Sequence, residues 1–530
     1  MTVDSRSRTI SILTPVFNPP VWAFELCAQS VLPQLGDRCE WVLVDDGSTD
    51  GSHKAELENL GGREHVTVVF AGVNQGISGA TNTALSHAAG EFVAFLDQDD
   101  ELSASAIDKV LQCIDTDDQV DVVYSDEDKI DENGKCFGAF RKPGWSPERL
   151  RHQNYLSHLT VIRRTLVNDV GGLRDEFDGS QDFDLVLRCT ERAKKIAHIP
   201  EVLYHWRTIE SSTASDPAAK PQAHAAAVRA VQDHLDRTGI SGTASLMSNM
   251  YVDIQRRRTT TPKVSIVIPS RGSEARIAGA PTCLVENCVA SLIETSTYPD
   301  IEVVIVLDTD SPAGLGERLI EIDPTRVQIV AFDDDFNFAA KINRGVMVSR
   351  GEVIVPLNDD IQVASPDWIE QLVVLLEEPD VGMSAPLLLL EDGRIQSAGH
   401  FFEDGAHHVG AGLATSDPGP FGLLSFESER SGATFAAIAI RRDVFETVGG
   451  MFEGFPRAFN DVDFGNKLRL LGYRIVFTPK AVLHHFESLT RDPAVEEFEV
   501  QRLYQRWGSV VSRPDEYLPQ FWRQHHGLSR

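Results

Sequence analysis

Short apolar runs alternate with longer amphipathic stretches along the first hundred residues. ISILTP (10–15), EWVLVDD (40–46), VTVVFA (66–71) and EFVAFLD (91–97) hold continuous apolar cores, the pattern of strands covered on both faces of a parallel sheet. Between them, segments 22–32, 52–60, 77–88 and 103–115 read as helices. Strand and helix in regular alternation predict an α/β unit. In such sheets ligands bind beyond the carboxyl ends of the strands. That is where the acidic stretches DDGSTD (45–50) and DQDDE (97–101) fall.

The pattern then repeats. SILTP (11–15) returns as SIVIP (265–269), and Asn82 precedes Gly90-Glu91 by the interval at which Asn343 precedes Gly351-Glu352. Fifteen residues separate Asn82 from Asp97, and fifteen separate Asn343 from Asn358. Each half continues with a Gly-Gly pair (171–172, 449–450), then an acid, Asp182 or Asp461, and closes on histidine in PEVLYHWR or PKAVLHHFES. Two copies of one domain are expected, residues 1–215 and 263–530, joined by a helical and extended linker over 216–262. Within the linker QAHAAAVRAVQDHLDRTG predicts a helix with Val228, Val231 and Leu235 on one stripe and Gly239 as its stop, and the triple arginine at 256–258 reads as a solvated connector.

Composition narrows the function. With 530 residues and 42% apolar content the chain has material for two cores. A formal charge of −30 excludes nonspecific nucleic-acid binding and leaves cations as counter-charges. Seven cysteines without a CxxC pair indicate neither a zinc knuckle nor a disulfide framework, which fits a reducing compartment. No leader-like or membrane-spanning apolar run is present, so a cytoplasmic protein is expected. The ending YLPQFWRQHHGLSR is compatible with peripheral contact at the inner face of the cell membrane, although a packed tail is the better account of it.

The motifs TPVFN, VDDGSTDGS, NQGISGATNTAL, YSDEDKID, FLDQDDE and SQDFDLVLR in the first half, with IPSRG, FNFAAKINRG, LNDD and FNDVDFGNKLRLLGYRI in the second, resemble those of family 2 glycosyltransferases. The resemblance implies an α/β fold of two GT-A (nucleotide-diphosphosugar transferase, Rossmann-like) domains in tandem. It also implies a bacterial polysaccharide-building enzyme with a nucleotide-diphosphate sugar as donor and a glycan or lipid-linked glycan as acceptor. Asp97, Asp99 and Asp100 match the family's DxD motif, with Asp99 expected to ligate Mn²⁺ or Mg²⁺ and Asp97 to contact the donor. Hard cations take such oxygen ligands, and acids capping the following helix are the structural alternative.

By the same resemblance Asp182 and Asp461 stand at the catalytic base, with Asp184 and Asp463 as rivals. Gln181 and Asn460 replace a glutamate usual there. Nucleotide contacts are expected at Pro15, Phe17, Asn18, Asp45, Asp46 and Gly76, and in the second copy at Pro269, Arg271, Asp308, Asn337, Asn358 and Asp359. Asp360 aligns with Asp99 as metal ligand, His205 is expected to complete the first metal shell, and either His484 or His485 the second. Asp308 aligns with Asp45, leaving Thr309 in place of Asp46. Asn82 and Asn343 read as helix-packing residues first. Activity in both halves is the preferred reading. The alternative is a noncatalytic glycan-binding or dimerisation role for one of them. A sugar-phosphate nucleotidyltransferase would need a glycine-rich basic loop after its first strand, which TPVFNPPVW does not offer.

Overall fold

The computed structural model describes residues 8–49, 51, 53–209, 221–486 and 495–518. It divides into two units, residues 1–145 with 150–255, and residues 146–149 with 256–530.

In the first unit the strands are β1 (Ile10–Val16), β2 (Cys39–Asp45), β3 (Val66–Phe70), β4 (Phe92–Phe95), β5 (Glu101–Leu102), β6 (Val120–Ile130), β7 (Cys136–Phe140), β8 (Thr160–Arg163) and β9 (Lys195–Arg207). They form one sheet in the order β3-β2-β1-β4-β8-β6-β9-β5, with β7 added beside β6. The β3-β2-β1-β4 half is parallel, as the continuous apolar runs require, and β8 enters antiparallel. Helix Val21–Val31 covers one face, burying Phe24, Cys27 and Val31 over Trp41.

The matched Asn and Gly-Glu spacings have a packing origin. Gly90 lies so close to β1 that a side chain there would meet the Ser11 backbone nitrogen at 2.5 Å, and its own N–H donates to Ser11 Oγ at 2.8 Å. Gly351 repeats this on Ser265 at 2.7 Å. Asn82 exchanges two 2.9 Å hydrogen bonds with the backbone of Leu173, just past the Gly-Gly pair, and Asn343 does the same with Met451. Both asparagines are structural clamps.

The second unit's main sheet runs in the corresponding order: Val327–Phe332, Ile301–Asp308, Val264–Ser270, Val353–Pro356, Ala439–Arg441, Val381–Leu389, Arg474–His485 and Ile361–Val363. A small hairpin is added, His400–Phe402 paired with Ala406–His408.

The expected linker is largely part of the first unit. Helix Pro221–Thr238 buries Ala226, Ala230, Val231 and Leu235, while Val228 is only half-buried. Ser180 Oγ donates to the Ala223 carbonyl at 2.8 Å, and Arg229 donates to that of Glu176 at 2.7 Å. The first unit therefore extends past residue 215 to Gln255. Only the end of the 216–262 stretch lies outside it. Residues 210–220 lie outside the described residues.

Glu191 anchors this helix through His234 Nδ1 at 2.8 Å and Arg237 Nη2 at 2.7 Å. Burial would raise the Glu191 carboxyl, but the hydrogen bonds from His234 and Arg237 outweigh it and hold it at about 2, against an ordinary 4.5. Burial holds His234 below its ordinary value, so it donates as a neutral ring and Arg237 supplies the charge. A depressed carboxylate stabilises above its unfolded pKa and loses that contribution as pH falls through the folded one. The stability difference between wild type and Glu191→Gln is thus expected to be full above pH 4.5 and to shrink towards pH 2, as urea unfolding at a series of pH values would show.

Candidate active sites

The acids at the end of β4 face a cluster that the sequence only partly disclosed. Ligand atoms of Asp97, Asp100 and His158 all lie within 4.8 Å of one another. Asp100 is held by Tyr204, whose hydroxyl donates to Oδ2 at 2.5 Å, and by the Arg207 backbone N–H, which donates to Oδ1 at 2.7 Å. Burial first, and then the neighbouring Asp97, push the Asp99 carboxyl up to about 6. For Asp100 the same causes act with Asp99 added. Clustered carboxylates raised in this way favour a proton or a cation.

His158 comes from the segment before β8 and stacks on Tyr204, ring centroids 4.5 Å apart. Its backbone N–H donates to Glu127 at 3.0 Å, and the buried Lys142 donates to the same carboxylate oxygen at 3.0 Å. Asp182 opens helix Gln181–Thr190, and its Oδ2 accepts from Asn154 Nδ2 at 2.9 Å. Asp182 is itself exposed, but desolvation by the protein packed around it raises this carboxyl, with His158 and Asp97 close enough to act on it. The rival Asp184 is fully buried and bound by Arg174 and Arg188 on both oxygens. It is structural.

The expected nucleotide residues gather at the ends of β1 and β2, where the strand order turns from β2 to β4. Pro15 is in register with Val44 and continues β1 to that end. Phe17 is exposed, and its backbone N–H donates to Gln98 at 2.8 Å. Asn18 Oδ1 accepts from the Thr49 backbone at 3.0 Å, and Asp45 Oδ1 from that of Ser48 at 3.2 Å. Asp46 accepts from the Gln75 backbone at 2.7 Å. Gly76 follows with φ +77°, where a Cβ would meet the Asp178 carboxylate at 2.9 Å.

His205 lies outside the group of Asp97, Asp100 and His158. Alternate residues of a strand face opposite ways. Tyr204 turns to Asp100, whereas His205 turns away and its Nδ1 lies 2.6 Å from Asp128 Oδ1.

The second unit keeps the frame and changes the contents. The Cys27 and Cys288 thiols donate to the carbonyls of Asp97 and Asn358, and the Leu102 and Val363 N–H groups to Ser30 and Ser291. These shared bonds make Asp360 the counterpart of Asp99. His205 pairs with Glu101 and His484 with Gln362, so His484 is the register counterpart of His205. Its Nδ1 lies 3.3 Å from the Leu390 carbonyl. His485, next along, faces the site: its Nε2 is 3.1 Å from both Asp360 Oδ1 and Asn358 Nδ2, and its Nδ1 is 2.7 Å from Gln396.

Register also corrects the alignment of Asp308. Val44 and Val306 both stand opposite the prolines of the first strands, Pro15 and Pro269. Asp308 therefore matches Asp46, and Leu307 takes the place of Asp45. Asp308 Oδ1 pairs at 2.5 Å with Lys341, which is 1% exposed and also donates to the Ser270 carbonyl at 3.1 Å.

Asp359 accepts from Ser270 Oγ at 2.6 Å, tying strand end to acidic turn as Gln98 ties Phe17. Burial first and then Asp360 push its carboxyl up to about 6. Asn337 is a helix cap, accepting from the Ala340 N–H at 3.1 Å and donating to the Glu453 carbonyl at 2.8 Å. That commits its amide to the fold and not to a ligand. Arg271 is exposed, 3.2 Å from Ser273 Oγ. Burial raises Asp461, which has Thr434 and His408 near it. Asp463 is bound by Arg506 and Trp507, each at 2.8 Å, and is structural.

The profile described as "Glycosyl transferase family 2" matches residues 11–170 and again 265–449. The chain belongs to glycosyltransferase family 2. Among the curated relatives of this family 2 chain, "Uncharacterized protein y4gI" of Sinorhizobium fredii is 35% identical over 97% of the chain and 56% of its own length. The "O-antigen biosynthesis protein RfbC" of Myxococcus xanthus is 33% identical over 92% of the chain and 38% of its own length. The "Chondroitin synthase" of Escherichia coli is 26% identical over 38% of the chain and 29% of its own length. The chain thus spans about half or less of the length of these relatives. Among the described residues no helix is long and apolar enough to cross a membrane.

The donor set at Asp97, Asp100 and His158, two carboxylates and an imidazole, fits a hard divalent cation with positions left for substrate oxygens. In the second unit Asp360 Oδ1 is buried without a hydrogen bond beside His485. That polar atom fits a cation as well, although fewer ligands surround it. Sequence reading missed His158, Glu127, Lys142 and Asn154. Glu127 lay inside YSDEDKID, but nothing in the spacing tied it to a histidine 31 residues on.

Proposed function

We propose that each half of this chain transfers a sugar from a nucleotide-diphosphate donor to a hydroxyl of a growing glycan, free or lipid-linked, with inversion at the anomeric carbon. The convergence of Asp97, Asp100 and His158 with Asp182 carries the reading. Asp182 takes the hydroxyl proton as the acceptor oxygen attacks the anomeric carbon; the bond to the diphosphate breaks and its electron pair leaves with the nucleoside diphosphate. Asp97, Asp100 and His158, with Asp99 beside them, would hold Mn²⁺ or Mg²⁺, which when bound offsets the charge of the departing diphosphate. Asp461 takes the base's place in the second half, with Asp360 and His485 toward a cation. The likeness to an O-antigen biosynthesis protein supports a cell-surface polysaccharide as product, assembled on the cytoplasmic side.

A noncatalytic second half is the competing reading. It is favoured by one observation: among the described residues no group of three ligands comparable to that of the first unit forms there. A panel of nucleotide sugars, assayed for nucleoside diphosphate release with a glycan acceptor and Mn²⁺, decides between them. Chelation is expected to abolish release and added Mn²⁺ to restore it; release that survives chelation overturns metal dependence. Asp99→Ala and Asp360→Ala are expected each to remove a different transfer step. If Asp360→Ala leaves every product intact, the second half is a scaffold.

A further inference from the structure

The two copies part company beyond their acidic turns. Arg163 and Arg441 hold the same register position, opposite Phe92 and Val353, and Leu357 opposite Ala437 carries that register on. Five positions before the arginines stand His158 in the first copy and Ala436 in the second. The residues that support His158 go with it. Glu127 and Tyr204 are partners in the first sheet, and Leu388 and Leu483 are partners at the same places in the second. In exchange, the second copy is longer here. Residues 141–159 connect Cys136–Phe140 to Thr160–Arg163, whereas residues 398–438 connect Ile395–Ser397 to Ala439–Arg441. The hairpin of His400–Phe402 and Ala406–His408 lies in that longer connection. Its Phe402 shares an apolar cluster with Val462, the residue after Asp461, and the His400 N–H donates to the Gly432 carbonyl at 2.7 Å. Gly432 in turn lies against the helix Asn460–Leu470 that carries Asp461: a Cβ on Gly465 would meet the Gly432 Cα at 3.6 Å. The hairpin is thus seated at the start of that helix, with His408 close enough to act on the Asp461 carboxyl.

On the hairpin His408 pairs with His400, ring centroids 4.8 Å apart. His400 is 4% exposed, and among the described residues its buried Nδ1 has no hydrogen-bond partner. Burial, and after it His407, hold that ring down at about 4, so it is neutral beside His408. His408 Nδ1 lies 2.9 Å from Ser397 Oγ, which itself donates to the Gly399 carbonyl at 3.3 Å. The serine oxygen therefore accepts from Nδ1–H, and the ring is left with Nε2 as an acceptor. Neighbours on one strand face opposite ways. Gln396 binds His485 on the cation side, and Ser397 binds His408. We propose that His408 is an acceptor-selecting residue of the second half, its Nε2 accepting a hydrogen bond from the sugar hydroxyl next to the one that Asp461 deprotonates. The acceptor class that fits is a sugar with two neighbouring free hydroxyls, one attacking and one held. This inference rests on the reading of Asp461 as base.

The full chain would be assayed with Mn²⁺, the nucleotide-sugar panel and methyl hexosides as acceptors, together with the monodeoxy forms of each hexoside extended. For the step that Asp461→Asn slows, His408→Ala is expected to raise the acceptor KM roughly tenfold, one hydrogen bond's share. The donor KM and the first half's step are expected to stay unchanged. His408→Gln, whose amide oxygen can accept as Nε2 does, is expected to recover most of the loss. Removing the held hydroxyl from the acceptor is expected to cost the wild type the same roughly tenfold and to cost His408→Ala nothing more, a pattern that mere loosening of the hairpin does not give. An unchanged acceptor KM in His408→Ala, an equal rise in donor KM, or full sensitivity of His408→Ala to the missing hydroxyl would each overturn this proposal and leave Asp461 as base. A second step that survives Asp461→Asn would overturn the base and this inference with it.

Discussion

Replacing Asp182 with asparagine is expected to slow the first half's transfer step by about 10²–10⁴-fold, the share a positioned general base contributes, without unfolding the chain. The carboxylate is held by one side-chain hydrogen bond, from Asn154, and an amide of the same shape can keep that contact after a flip. Desolvation by the surrounding protein raises its proton affinity, the direction a base needs if it is to take a proton from a hydroxyl. Rates of nucleoside diphosphate release at saturating donor and acceptor, together with a thermal melt, test both parts. An unchanged rate with an intact melt would move the base elsewhere in the site.

Two residues along, alanine at Asp184 is expected to produce the opposite phenotype, a loss of about 3–5 kcal/mol of stability. That is the cost of breaking a buried ion pair and leaving its partner charged. Asp184 is fully buried, and its two oxygens satisfy Arg174 and Arg188. Arg188, itself nearly buried, also binds the carbonyls of Val170 and Gly172. The same carboxylate thus orients the turn that carries the Gly-Gly pair and, through Arg174, reaches Asp233 on the added helix. Urea unfolding followed by circular dichroism would measure the loss. A change within about 0.5 kcal/mol, as for ordinary surface substitutions, would show that the arginines find other partners.

Asp182 and Asp184 look alike in the string QDFDLVLR, yet one is held by a single amide and the other by two guanidiniums. Sequence could not separate them because Arg174 lies ten residues upstream and meets Asp184 only after the chain has turned. The parallel strands and the repeat were legible because burial on both faces and close backbone approach leave local marks: continuous apolar runs, and glycines at 90 and 351. The exit of β4 was legible for the same reason. His205 stands apart from Asp97, Asp100 and His158 because one position along a strand reverses the face, and sequence spacing carries no register. His158 was missed because it is joined to the acids through Tyr204 and Glu127, contacts made by strands far apart in the chain. The helix after residue 220 was read correctly as a helix but assigned to a connector, since its apolar stripe does not say which surface it covers.

The buried ammonium of Lys341 sets a condition on any exchange of parts between the two copies. Its counterpart by position in the first half is Ala80, and the carboxylate there, Asp46, is satisfied by a backbone amide. Removing the lysine alone from the second half would take from Asp308 its charged partner, whereas the first half's Asp46 relies on the Gln75 amide of its own loop. Loop and lysine are alternative partners for the same carboxylate, so substitutions at Lys341 and in the loop before it are expected to be non-additive.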